Sequence, residues 1–237
     1  MPVAVVTGAS SGIGAALCRE LRSRGWEVVG LSRRPAPEAG EHEECDVTDR
    51  ASVQAAAARV LDRHPRIDLL VNNAGVPARG TTFLEGPTEP IERSIATNYL
   101  GAVWCTRAFL PGLGEGATVV NMISVAGTVA RGPYSASKHA QLAFSRSVAV
   151  ELAGRKVHVL GVLPGFVETP GFPQRDRLGF PLRLVVVDPP LVVSRLLDAV
   201  ERHRHEIFVP RWYRIVAWLQ ALAPALLTRR SLPGVRV

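Results

Sequence analysis

The chain has 237 residues, 47% of them hydrophobic, which suits one large α/β domain with a sizeable core. Its formal charge is +7, but eight arginines against three acidic residues from Leu191 to Val237 hold +5 of it, so the body is ordinary in charge, and the basic tail has no nucleic-acid motif. No apolar stretch is long enough to span a bilayer and Val3–Val6 is too short for a secretion signal; Cys18, Cys45 and Cys105 have neither metal nor disulfide spacing, so a cytoplasmic chain with free, buried thiols and no metal is expected.

In chain order, Val3–Thr7 reads as a strand, Gly12–Gly25 as a helix and Glu27–Leu31 as a strand. A weak strand near Glu41–Cys45 precedes an alanine-rich helix over Arg50–Arg63. Ile67–Asn72 is a strand, Ile91–Leu110 a long helix stopped by Pro111-Gly112, and Ala117–Ile123 a strand. Pro133–Ala153 is a helix and Lys156–Leu163 a strand. After Phe166 the pattern breaks into a proline-rich stretch over 168–190. A helix near Leu191–His203 and a short strand at Ile207–Val209 follow. Strand and helix alternate, and the strands are continuously apolar. That predicts an α/β fold: a Rossmann-type doubly wound parallel sheet in three layers, α/β/α. Residues 1–210 form that single domain, and 211–237 an amphipathic tail.

Between the first strand and first helix stands Thr7-Gly8-Ala9-Ser10-Ser11-Gly12-Ile13-Gly14. Glycines permit a tight turn and close backbone approach, and the helix N-terminus offers unpaired N–H groups. This is a pyrophosphate cradle rather than a mere turn, because strand and helix flank it correctly. An acidic residue ending the second strand would bind a ribose 2′-hydroxyl. Leu31-Ser32-Arg33-Arg34 stands there instead. Two guanidiniums suit a 2′-phosphate, so NADP(H) is favoured over NAD(H), with Arg33 and Arg34 as its partners.

Tyr134 and Lys138 lie four apart on a helix, hence on one face. Lys138 is one of two lysines in a chain whose other non-histidine basic residues are arginine. A tyrosine working near neutral pH must come down from a pKa of ~10 by about 2–3 units, or roughly 3–4 kcal/mol. An ammonium at ~4 Å supplies about 4 kcal/mol at an effective dielectric near 20.

The glycine loop, Asn72-Asn73-Ala74-Gly75, Asn98, Ser124, Tyr134-Ser135-Ala136-Ser137-Lys138 and Pro164-Gly165-Phe166-Val167-Glu168-Thr169 occur in that order. From Val3 to Thr169, and more loosely to Val209, the chain resembles the short-chain dehydrogenase/reductase family in its short single-domain branch. The resemblance implies roles. Tyr134 would be the general acid or base, and Lys138 would lower its pKa and bind the nicotinamide ribose. Ser124 would bind the substrate oxygen, and Asn98 would hold a water of a proton relay. Gly8, Ser11, Gly12, Ile13 and Gly14 would line the phosphates. Asp46 and Val47 would meet the adenine, Asn73, Ala74 and Gly75 the ribose, and Pro164, Gly165, Val167 and Thr169 the nicotinamide amide. Ser124 and Tyr134 are ten residues apart, a few fewer than the family usually has, so the loop between them is expected to be short.

The stretch 168–190 corresponds to the family's variable substrate loop. Phe172, Leu178, Phe180, Leu182 and Leu184 among Arg175, Arg177 and Arg183 favour an apolar carbonyl or alcohol substrate. NADPH-dependent carbonyl reduction is the leading reading. The alternatives are an alcohol or hydroxysteroid-type dehydrogenase in the oxidative direction, and a non-catalytic cofactor-sensing protein that would be expected to lack Tyr134 or Lys138. A homo-oligomer, dimer or tetramer, is expected. In the tail, Trp212, Ile215, Val216, Leu219, Leu222 and Leu226 share a helical face, interrupted at Pro224 and followed by Arg229-Arg230. It is a lid, a subunit contact, or a peripheral membrane contact on anionic lipid.

Overall fold

The structure is a computed structural model; it describes residues 1–176 and 178–222. Arg177, Pro224, Leu226 and Arg229-Arg230 therefore lie outside the described residues, as does the side chain of Leu182.

Seven strands, β1 (Val3–Thr7), β2 (Glu27–Ser32), β3 (Glu41–Glu44), β4 (Leu69–Asn72), β5 (Thr118–Met122), β6 (His158–Pro164) and β7 (Glu206–Val209), form one sheet. Their order is β3-β2-β1-β4-β5-β6-β7, and every pairing is parallel. Among the described residues seven α-helices accompany them: α1 (Gly12–Ser23), α2 (Arg50–Arg63), α3 (Glu89–Ile95), α4 (Gly101–Phe109), α5 (Gly132–Ala153), α6 (Pro189–Glu201) and α7 (Tyr213–Leu222).

Period-two alternation explains the three layers. Along β1, Ala4 and Val6 face a core shared with Leu17, Cys18 and Leu21 of α1 and Val192, Val193 and Leu196 of α6. Val3 and Val5 face a second core with Val53 and Val60 of α2, Phe109 of α4 and Val148 of α5. All three cysteines are free and buried, as expected. Desolvation pushes the Cys18 thiol up to about 12 and the Cys45 thiol up to about 11, so both stay protonated.

Most elements fall within two residues of the sequence reading. The expected single helix over Ile91–Leu110 is a correction. It is α3 and α4 joined by a π turn, Ala96–Leu100, whose wider turn buries Thr97 and Asn98. The strand order reverses between β1 and β4, so their C-terminal ends open a crevice.

Candidate active site

The glycine loop lies at that crevice. Gly8 and Gly12 hold φ of +66° and +59°, in the left-handed region that favours glycine. A Cβ on Gly14 would sit 2.4 Å from the Gly8 carbonyl oxygen, and one on Gly8 would sit 2.9 Å from Ala74 Cα. Ser11 caps α1 without spending its hydroxyl on a cap bond, and Ile13 packs on the core beneath. The result is a tight cradle with free N–H groups at the start of α1, a shape that fits a dinucleotide phosphate.

Asn73 is tied to the same loop. Its backbone N–H and that of Ala74 donate to Thr7 Oγ1 at 2.9 and 3.0 Å, and its Nδ2 donates to the Thr7 carbonyl at 2.9 Å. Asn72 works inside the sheet, donating to Thr106 Oγ1 and Asn121 Oδ1. Gly75 comes close to two of the expected site residues: a Cβ there would lie 3.4 Å from Asn98 Oδ1 and 3.6 Å from Lys138 Nζ.

At the other flank of the cradle, Ser32 is buried and donates to the Arg34 carbonyl at 2.6 Å, which fixes the exit of β2. Arg33 and Arg34 are exposed. Arg33 Nη1 stands 3.6 Å from Asp46 Oδ2. Burial raises the Asp46 carboxyl, but bonds from the Thr48 N–H and hydroxyl, with Arg33 beside it, outweigh that and hold it below its usual range. Val47 packs against Gly101 at the start of α4.

Ser124, two residues past β5, holds φ of 140° and accepts a bond from the Ala126 N–H at 3.1 Å, starting a 3-10 turn over Val125–Thr128. The short loop to α5 therefore closes compactly. The Ser135 hydroxyl reaches back to the carbonyls of Ala126 and Val129 and pins it. Ser124 Oγ donates to the Pro164 carbonyl at 3.3 Å, and Ser124 stands close enough to Tyr134 to favour its ionised form. Serine and tyrosine thus meet despite their close spacing in the sequence.

Tyr134 and Lys138 share a face of α5, with Lys138 Nζ 5.9 Å from the tyrosine ring centre. Lys138 is buried; it donates to the Met122 carbonyl at 2.9 Å and Gln141 Oε1 at 2.8 Å. Burial pushes the lysine down to about 7, and no charged group opposes it. Burial pushes the tyrosine phenol up to about 12, opposed by Ser124 beside it. This differs from the expectation that Lys138 draws Tyr134 down. The lysine is itself desolvated, so it offers only a part-titrated charge at neutral pH.

Asn98 donates from Nδ2 to the Val76 carbonyl at 3.0 Å and Ser137 Oγ at 2.9 Å, and accepts from the Val76 N–H at 2.8 Å. Its side chain ties the loop after β4 to α5.

The loop after β6 closes the far side. Gly165 N–H bonds the Val209 carbonyl at 2.9 Å, and Val167 bridges to Val187. Thr169 Cγ2 would lie 3.3 Å from a Cβ on Gly12, so this loop reaches the cradle. Phe172 packs on Tyr134 at 5.6 Å between ring centres.

Two site features escaped the sequence reading. Arg79, from the loop after β4, donates to the Gly171 carbonyl at 3.0 Å and stands over the Phe172 ring at 5.5 Å. Tyr213 packs on Gly165 so closely that a Cβ there would lie 2.1 Å from its ring. No local motif marks either one. By contrast, Phe180 and Leu184 of the substrate loop are exposed, and Arg175 pairs with Asp188.

A family model described as short chain dehydrogenase matches residues 2–177. The chain belongs to the short-chain dehydrogenase family. It is an oxidoreductase of carbonyl or alcohol groups that binds a nicotinamide cofactor, and the cradle geometry fits that group. A putative ketoacyl reductase of Streptomyces coelicolor is 37% identical over 187 residues, covering 71% of each chain. A short chain dehydrogenase of Burkholderia cenocepacia, solved in complex with NADP, is 30% identical with a TM-score of 0.83, over 98% of this chain and 97% of that one. A short chain dehydrogenase/reductase of Burkholderia phymatum, solved in complex with NAD, is 26% identical with a TM-score of 0.84, over 100% and 98%. Among the described residues no helix is long and apolar enough to cross a membrane, and no cluster of three metal-ligating side chains occurs.

Proposed function

We propose that this dehydrogenase is an NADPH-dependent carbonyl reductase of apolar substrates. The observation that carries the reading is the Ser124–Tyr134 pair beside buried Lys138, facing a phosphate cradle whose second strand ends in Ser32-Arg33-Arg34. When bound, the nicotinamide cofactor supplies the hydride that reaches the carbonyl carbon. Ser124 and Tyr134 orient the carbonyl oxygen by hydrogen bonds. As that oxygen gains charge, Tyr134 hands it the phenolic proton. A phenol held at about 12 keeps its proton at neutral pH, so the acid is loaded for reduction. An alkoxide is still the stronger base, so transfer to it is downhill. Lys138 stabilises the phenolate that remains.

Phe172 against Tyr134 supports an apolar substrate. Arg33, exposed at the end of β2 with no acidic residue at position 32 or 34, supports NADPH. The test is a panel of ketones with NADPH and NADH, and the matching alcohols with the oxidised cofactors, followed at the nicotinamide absorbance. Higher kcat/KM with NADPH and an apolar ketone is expected. Turnover of alcohols alone, or equal KM for both cofactors, overturns the reading.

Of the three fates open to the tail we propose the peripheral contact with anionic lipid, on a cytoplasmic homo-oligomer. Docking α7 uses Tyr213 and Val216, which leaves Trp212, Ile215, Trp218, Leu219 and Leu222 exposed. Arg211 and Arg214 flank that face, and Arg229, Arg230 and Arg236 follow in the sequence, so its charge matches an anionic surface. Because Tyr213 rests on Gly165, a bound membrane would lie near the substrate entrance. The full chain should sediment with anionic vesicles while a chain ending at Pro210 stays in solution. Failure of both to sediment removes the membrane contact, and a monomer in sedimentation equilibrium removes the oligomer.

A further inference from the structure

Gln141 follows Lys138 by three residues on α5 and is fully buried. Its Oε1 accepts the bond from Lys138 Nζ at 2.8 Å, while its Nε2 has no hydrogen-bond partner among the described residues. A buried amide with an unpaired donor costs stability. Methionine would fill nearly the same volume without that cost. The bond to Lys138 is thus the gain that sets against the unpaired donor.

We propose that Gln141 is a positioning residue for the active site: its Oε1 anchors the Lys138 ammonium and sets the pH at which that ammonium loses its proton. The inference rests on the reading of Lys138 as the partner of Tyr134. The groups packed around Lys138 make the assignment specific. Its own helix presents Tyr134, titratable and uncharged at neutral pH. β5 presents the Met122 carbonyl, the loop after β4 the backbone of Gly75 with neutral Asn98 beside it, and the 3-10 turn Gly127 against the Lys138 carbonyl. Charge therefore reaches Lys138 from none of these elements. Two neutral acceptors hold the ammonium, and Gln141 is the one a substitution can remove. Burial already brings this lysine to about 7, where a small change in hydrogen bonding alters the charged fraction.

Lys138 and Lys156 are the lysines of the chain, and Lys156 pairs with Glu115 at the surface. Carbon-13-labelled lysine therefore gives two NMR signals, which Lys156→Arg assigns. Gln141→Met should move the Lys138 midpoint down by about one pH unit, a tenfold change in acidity, the size expected for one charge-assisted hydrogen bond. Gln141→Glu places a carboxylate there and should move it up. Opposite shifts from two near-isosteric changes do not arise from a packing role. An unchanged midpoint in Gln141→Met, or shifts of the same sign in both variants, overturns the proposal. Should Gln141→Glu not fold, Gln141→Met alone decides by its midpoint. The alkaline limb of the turnover profile should follow the NMR midpoint. Shifted midpoints with an unmoved limb uphold the contact and refute Lys138 as the partner of Tyr134.

Discussion

Lys138→Met is the most informative change for folding. The wild-type lysine falls from 10.5 to about 7 on burial. The unfolded chain therefore binds more protons between those values, and wild-type stability rises with pH across that window. Below about 7 the penalty is full; above 10.5 it is gone. At about 1.4 kcal/mol per unit the whole shift amounts to roughly 5 kcal/mol. Methionine removes that penalty but leaves the Met122 carbonyl and Gln141 Oε1 without their donor, at about 1–3 kcal/mol each and independent of pH. The net change at one pH is thus a small difference of opposing effects, and the slope is the test. From about pH 7, where the folded lysine is half-titrated, to about pH 9 the variant should lose about 2 kcal/mol relative to wild type. Tyr134, raised by burial, stays protonated over that range and does not contribute. Urea unfolding of both proteins at the two pH values measures it. Parallel stability profiles would refute the reasoning, since they would mean that Lys138 keeps its ordinary acidity inside the fold.

Gly14→Ala puts a Cβ 2.4 Å from the Gly8 carbonyl oxygen, so the cradle must open; cofactor affinity, measured by nicotinamide fluorescence, should fall by about tenfold or more, equivalent to about 1.4 kcal/mol. Arg33→Ala should weaken NADPH binding by roughly tenfold to a hundredfold, the range of a charge-assisted bond, and leave NADH nearly unchanged; equal losses for both cofactors in calorimetry would count against a phosphate contact. Ser32→Asp should tilt the ratio further toward NADH, because its carboxylate would repel a 2′-phosphate.

How much of this was visible in the sequence depends on range. Gly8, Gly12 and Gly14 are local: a turn, a close approach and a helix start all lie within eight residues, and the structure finds each glycine where its freedom is needed. Tyr134 and Lys138 are set by helical spacing, and their shared face follows. The parallel sheet was legible because its strands are apolar on both faces. The π turn at Asn98 was not, since it is a single wide turn inside a helical run, too short to show a period of its own. Gln141 looked like one more polar residue in a helix, and only the packing of α5 shows it buried against Lys138. Arg79 and Tyr213 reach the site across 92 and 48 positions of chain, from Gly171 and Gly165, which no local pattern encodes. The tail shows the same limit. Its apolar stripe was legible, but of its members it is Val216 that docks, beside Tyr213, which lies outside the stripe and packs where Gly165 leaves room for a ring.

Hydride and proton transfer by Tyr134 is the centre of the account, and one comparison tests it most directly. Wild type and Tyr134→Phe are given NADPH and the best ketone of the panel, with turnover followed at the nicotinamide absorbance and cofactor binding by fluorescence. Phenylalanine keeps the ring packed on Phe172 and leaves the cradle untouched, removing only the proton donor. Loss of turnover by roughly a hundredfold or more, the usual range for one general acid, with cofactor affinity within about twofold of wild type, is the predicted result. Turnover close to wild type in Tyr134→Phe would contradict the account.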